Sequence, residues 1–288
     1  MKTTDKKIIS FYSPTANQGL KTLSLAYANR LANERYRVLY VELDTTAHGF
    51  AQALQIDTEN QNILEYLSAS LSGDFNFDNF IITKKMLLEE SDKKSREIYQ
   101  QLEDDLDYLI LPMKLEPELV PNLVETDSES VDAFVLEYVD RIVDTLRDSI
   151  YDHVVIKLPN DIDHIFTYQT MTNSDVILSV ISPSVIRLLE LKERKDFLFE
   201  HNPSLKDKWT NIVNLASDEL TKKDYDEMLG DAHIINFDPQ RLRDEWALRT
   251  DSDYIREQME EIIDGNGIRM TLSKYVEQKG IRKIFSRS

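Results

Sequence analysis

Ile8-Ile9-Ser10-Phe11-Tyr12-Ser13-Pro14-Thr15-Ala16-Asn17-Gln18-Gly19-Leu20-Lys21-Thr22-Leu23-Ser24-Leu25-Ala26-Tyr27-Ala28-Asn29-Arg30-Leu31-Ala32 is the stretch that decides the fold. Ile8–Tyr12 is a short apolar run of strand length, Ser13–Gly19 carries turn chemistry, and the helical pattern Leu23–Asn33 is rich in Leu and Ala. Further strand-like runs are Val38–Val41, Tyr108–Leu111, Val154–Ile156, Val176–Ile181, Ile212–Leu215 and Ile234–Phe237. Several are continuous in Val, Ile and Leu, the pattern of strands covered on both faces. Helical patterns lie between them at Ile63–Leu71, Val131–Ser149, Ile165–Asn173, Val185–Glu200 and Tyr254–Ile263. Such alternation predicts an α/β fold, a doubly wound and mainly parallel sheet of about seven strands with helices on both faces. There is no internal repeat and no Pro/Gly-rich linker, so residues 1–268 read as one domain followed by a tail, 269–288.

Composition narrows the function classes. The 288 residues hold 52 acidic and 34 basic side chains, a formal net charge of −18, which argues against a surface built for nucleic acid. With no cysteine there is no disulfide framework, thiolate nucleophile or cysteine-ligated metal. The five histidines (His48, His153, His164, His201, His233) lack metal-site spacing and read as structural or surface residues. No apolar run reaches the ~20 residues that span a bilayer, and Met1–Lys7 is too polar for a signal peptide. The expectation is a cytoplasmic protein without metal. Gly73–Asp107, polar and charged, reads as a peripheral excursion.

In a doubly wound sheet the first strand-to-helix turn is the usual phosphate site, where glycines, a lysine and a Ser/Thr hydroxyl hold phosphates and magnesium. Here the chain resembles the ParA/MinD family of deviant Walker ATPases, a P-loop NTPase-like fold. The family motif Ser-Pro-Lys-Gly-Gly-Val-Gly-Lys-Thr-Thr matches at Ser13, Pro14, Gly19 and Thr22. The signature lysine has become Thr15 and the two glycines Ala16 and Asn17; the phosphate lysine has become Leu20 and the magnesium threonine Lys21. The Asp-x-Asp strand end resembles Glu42-Leu43-Asp44, with Asp44 at the water-orienting carboxylate. The Walker B strand resembles Val154-Val155-Ile156-Lys157, with Lys157 in place of the metal-side aspartate. Asn211-Ile212-Val213-Asn214 resembles the strand whose last Asn reads adenine, and Glu116-Pro117-Glu118-Leu119 resembles a loop of the pilus-assembly (TadZ/CpaE-type) branch.

ATP hydrolysis on this fold is mostly positioning and neutralisation of phosphate charge. Loss of both lysines, the threonine and the metal-side aspartate implies a degenerate pseudo-ATPase with no cofactor. Lys157 is expected to form an internal ion pair with Asp44 or Glu42, because buried carboxylates without a counter-charge are costly. A one-residue shift would instead keep an atypical ATPase using Lys21, Thr22 and Asp44; a DNA-partition protein is a further alternative that the charge opposes.

The tail, 269–288, carries six basic residues and one acid. Ile281, Ile284 and Phe285 would form one apolar stripe of a helix, flanked by Arg282, Lys283 and Arg287, a composition suited to an anionic membrane surface. It also resembles the membrane-targeting segment of MinD-type proteins. The resemblance implies a homodimer that positions a membrane-associated machine through protein contacts, peripheral on the inner face of the membrane.

Overall fold

A computed structural model describes residues 6–44, 50–56, 61–72, 75–90, 92–114, 128–217, 219–246 and 253–270. Seven strands build one sheet: β1 (Lys7–Tyr12), β2 (Val38–Glu42), β3 (Leu106–Leu109), β4 (His153–Lys157), β5 (Val176–Ile181), β6 (Trp209–Ala216) and β7 (Ala232–Asn236). Their order is β3-β2-β4-β1-β5-β6-β7, and all six pairings are parallel. The described helices are α1 (Leu20–Asn33), α2 (Phe50–Leu54), α3 (Ile63–Ser72), α4 (Lys84–Glu90), α5 (Lys93–Tyr99), α6 (Ser128–Asp148), α7 (Thr167–Asn173), α8 (Val185–His201), α9 (Lys222–Leu229), α10 (Pro239–Trp246) and α11 (Asp253–Gly265). The expected doubly wound α/β architecture is what the chain adopts.

The two-residue period of a strand divides the core between the two faces. Ile9 and Phe11 of β1, with Val38 and Tyr40 of β2, join the cluster beneath α1 and α11. Their neighbours Ile8, Tyr12, Leu39 and Val41 join the cluster beneath α3, α6 and α7. Both faces are therefore covered, which is why these runs do not alternate with polar residues.

Some elements differ from the sequence expectation. β3 ends at Leu109: Ile110 and Leu111 stay buried but leave the ladder, Ile110 accepting from Ile63 N at 2.9 Å and Leu111 N donating to Glu42 Oε2 at 3.3 Å. The excursion at Gly73–Asp107 holds a 3-10 turn (Phe77–Phe80), α4, α5 and the start of β3. It returns to the sheet through an antiparallel bridge in which Ile82 N donates to Tyr108 O at 2.8 Å and Tyr108 N to Ile82 O at 2.9 Å. That bridge occupies part of the otherwise open edge of β3. No described helix is long and apolar enough to cross a membrane.

Candidate functional site

β1, β2 and β4 end side by side, and the Ser13–Gly19 turn rises from the first of them into α1. Two residues of the turn have left-handed backbone, Asn17 (φ 62°) and Gly19 (φ 82°), the second preceding Leu20 as the residue that opens α1. Leu20 is buried and packs into the apolar cluster of α1, Tyr27 and Phe11. Lys21 and Thr22, the next two residues, are half-buried.

Within the turn, polar groups bond one another. Ser13 Oγ donates to Thr15 O at 2.9 Å. The buried Gln18 side chain donates through Nε2 to Ala16 O at 2.7 Å and accepts at Oε1 from Ser182 N at 2.9 Å. Asn214, fully buried at the end of β6, donates through Nδ2 to Gln18 O at 2.7 Å and accepts at Oδ1 from Arg241 Nη1 at 2.8 Å. The resemblance made Asn214 a reader of adenine; here its amide joins the turn to Arg241 of α10. Gln18, Ser182 and Arg241 were not foreseen, because they carry no local motif and meet only through the fold.

A methyl group on Gly19 would lie 2.3 Å from Asn214 Nδ2 at a left-handed φ. Gly19→Ala is therefore expected to lower stability by about 1–3 kcal/mol, read from urea unfolding, as a strained backbone is combined with a displaced amide.

The strand ends carry the charged centre. Glu42 and Lys157 are register partners across β2 and β4, and Leu43 N donates to Lys157 O at 3.0 Å. Lys157 Nζ donates to Asp44 Oδ2 at 2.7 Å, with side-chain exposures of 7% and 2%. The ion pair expected with Asp44 or Glu42 forms with Asp44. Glu42 is fully buried; its Oε2 accepts from Leu111 N, while Oε1 has no partner among the described residues. Burial pushes the Glu42 carboxyl above its ordinary range, against the opposing pull of Lys157, the Leu111 N–H and Lys21. His164, on the loop after β4, lies within electrostatic reach of Asp44, although burial lowers its pKa on balance. The buried Thr15 Oγ1 has no partner among the described residues. Two lysines and two carboxylates thus converge at the strand ends.

Two sequence expectations fall outside the described residues. They are the Glu116-Pro117-Glu118-Leu119 loop and the tail positions Ile281, Arg282, Lys283, Ile284, Phe285 and Arg287.

Solved structures share this architecture. A plasmid partition protein of Borrelia burgdorferi B31 bound to AMPPNP matches with a TM-score of 0.64 and 20% identity, over 90% of this chain and 98% of that one. The septum site-determining protein MinD of Pyrococcus horikoshii OT3, complexed with Mg-ADP, matches at 0.61 and 17%, over 91% and 98%. A ParA family ATPase of Chlorobium tepidum TLS matches at 0.60 and 16%, over 88% and 96%. The chain has the fold of ParA and MinD. At these identities the likeness is one of fold. No protein-family profile matches the sequence, and no curated protein matches it.

Proposed function

We propose that this chain is a non-catalytic ParA/MinD-like scaffold, a pseudo-ATPase that positions or assembles a membrane-associated machine such as a pilus, secretion, conjugation or division apparatus. The buried Lys157–Asp44 ion pair carries this reading. A divalent cation at the strand ends needs oxygen ligands, and the Lys157 ammonium beside Asp44 repels it. Leu20, at the place the resemblance gives to the phosphate lysine, is packed in the core and offers phosphate nothing. These residues do not fit a magnesium nucleotide, and Lys157 supplies internally the positive charge that Asp44 needs. The start of α1 at Leu20 supports the ungapped alignment over the shifted one that would make Lys21 and Thr22 the phosphate and metal groups.

As a scaffold the protein acts by contact: as a homodimer, with protein components of the machine as partners, and with the 269–288 tail meeting an anionic membrane surface. The domain, 1–268, presents those contacts from the cytoplasmic side, and nucleic acid is not among them. Isothermal titration with ATP and magnesium is the test. The expected result is binding no tighter than millimolar and no phosphate release. Micromolar affinity with turnover would establish the atypical ATPase that uses Lys21, Thr22 and Asp44. For the membrane contact, removal of residues 280–288 is expected to abolish sedimentation with anionic liposomes.

A further inference from the structure

On α8 the 3.6-residue period sets Arg187, Glu190, Arg194 and Phe197 in one stripe along the helix. The stripe borders a groove of about 380 Å³ between α8 and Pro14–Thr15, lined by Glu190, Glu193, Arg194 and Phe197. Arg187 Nη1 donates to Ala16 O at 3.4 Å, which sets its guanidinium beside the turn. Glu190 and Arg194 have the spacing and order of an intrahelical ion pair, acid four residues before base. Even so, neither they nor Glu193 make an ion pair among the described residues. Phe197 is 52% exposed, and Ile186, on the same side of the helix, is 71% exposed.

This face carries both signs of charge in equal number, two arginines and two glutamates. It therefore calls for a partner with the same mixture. An isologous contact, in which residue i meets j and j meets i, needs a patch that complements itself. Let two copies of α8 lie antiparallel about a two-fold axis level with Lys192. Glu190 then faces Arg194 of the second copy, Arg194 faces its Glu190, and Arg187 and Phe197 face one another in the same reciprocal way. Each pairing is favourable, carboxylate with guanidinium and guanidinium over an aromatic ring, and each occurs twice. Ile186, alone on one copy, comes against Phe197 of the other. Lys192 itself lies on the opposite side of the helix, paired with Asp196, so the two lysines do not meet. An axis level with Glu190 or with Arg194 would instead set like charges face to face, so charge fixes the register.

We infer that two copies of this chain associate through α8, antiparallel, with Glu190–Arg194 ion pairs across the two-fold axis. The inference rests on the homodimer of the proposed function and gives it a surface. The contact is one helix pair ~25 Å long, less than the ~800 Å² per partner of a stable interface. The dimer is accordingly expected to be micromolar and to weaken as salt screens its exposed charges.

Sedimentation velocity of the full chain across the micromolar range tests the contact. Glu190→Arg and Arg194→Glu each oppose like charges twice, and each is expected to raise the dimer Kd at least about tenfold. A mixture of the two single variants restores attraction at both pairs, so it should form heterodimers within about threefold of the parent Kd. The double variant, Glu190→Arg with Arg194→Glu, keeps the parent net charge and should recover equally, which separates pairing from total charge. Recovery in either form also shows that the variants fold. A dimer indifferent to both single reversals, or a mixture no tighter than its components, would overturn the α8 contact and leave the homodimer standing. A wild-type chain that stays monomeric throughout the range would remove both.

Discussion

Lys157→Met lowers the unfolding free energy by about 3–5 kcal/mol at neutral pH, the loss expected when one partner is taken from a buried ion pair. Methionine retains most of the lysine stem, so packing changes little and the effect is electrostatic. Asp44, with 2% of its side chain exposed, loses the ammonium 2.7 Å away, and the fully buried Glu42 loses the cation that most opposes its raised pKa. Lys21 is then the remaining lysine that draws Glu42 down. A buried carboxylate that loses its counter-charge is destabilised in its charged form. Without Lys157 the Glu42 carboxyl, already raised by burial, rises further, so the penalty is largest at high pH, where the unfolded chain is ionised, and shrinks as acid protonates the unfolded carboxylate as well. Adding Asp44→Asn should recover most of the loss, giving a coupling energy of about 2–3 kcal/mol in a double-mutant cycle. A single-variant loss below about 1 kcal/mol would place Lys157 among solvated surface lysines and remove the basis of the pseudo-ATPase reading. Because whole domains are stable by only about 5–15 kcal/mol, urea midpoints will register the predicted change clearly.

This ion pair was legible in the sequence because it rests on parallel register. Val38–Val41 and Val154–Ile156 are unmistakable buried strands, and neighbouring parallel strands bring their carboxyl ends together, so Asp44 and Lys157 follow their strands to one place. β5 was found with its true bounds because Val176–Ile181 is apolar throughout and covered on both faces. The edge was harder. In β3 only four residues pair, while Ile110 and Leu111 are equally apolar and equally buried without pairing; burial alone does not distinguish ladder from loop. α4, α5, α9 and α10 also escaped notice, since they are short and dominated by charged residues, and helices of seven or eight residues draw their stability from packing and caps. α9 is a case in point: its start is fixed by a capping box between Thr221 and Asp224 that a reading for apolar periodicity passes over.

The site divides along the same line. Thr15, Asn17, Gly19, Leu20, Lys21 and Thr22 stand within one turn and were found together, as local sequence allows. The bonds that hold the turn come from Ser182, after β5, and Asn214, in β6, which is held in its turn by Arg241 of α10. Of these only Asn214 carried a sequence signal, and that signal concerned a base, whereas the fold uses its amide to join Gln18 to Arg241. Arg241 is 27 residues from its partner, and nothing in its own neighbourhood announces the contact.

Acid should expose a second buried charge problem, at the opposite edge of the sheet. His153 opens β4 with 1% exposure, neither ring nitrogen has a partner among the described residues, and Tyr36 packs against it edge-on at 4.8 Å. Burial lowers its pKa to about 4, with Lys7 and Lys6 acting in the same direction and Asp152 against them. Above the unfolded value of 6.5 the ring is neutral in both states and the fold bears no penalty. As pH falls below 6.5 the unfolded chain binds the proton first, and stability declines until the folded ring titrates near 4. The full loss is about 3 kcal/mol at 1.36 kcal/mol per pKa unit. His153→Phe retains the aromatic contact and removes the proton site, so the variant should gain on the parent by that amount between neutral pH and pH 4. Asp107, raised to about 6 by burial beside the Tyr151 hydroxyl, works in the opposite sense, since its folded form takes up a proton more readily. It is present in both chains and cancels in the difference. Urea unfolding of the two proteins at pH 7.5, 6, 5 and 4 provides the measurement, and parallel pH profiles would show that the buried imidazole is not what acid attacks.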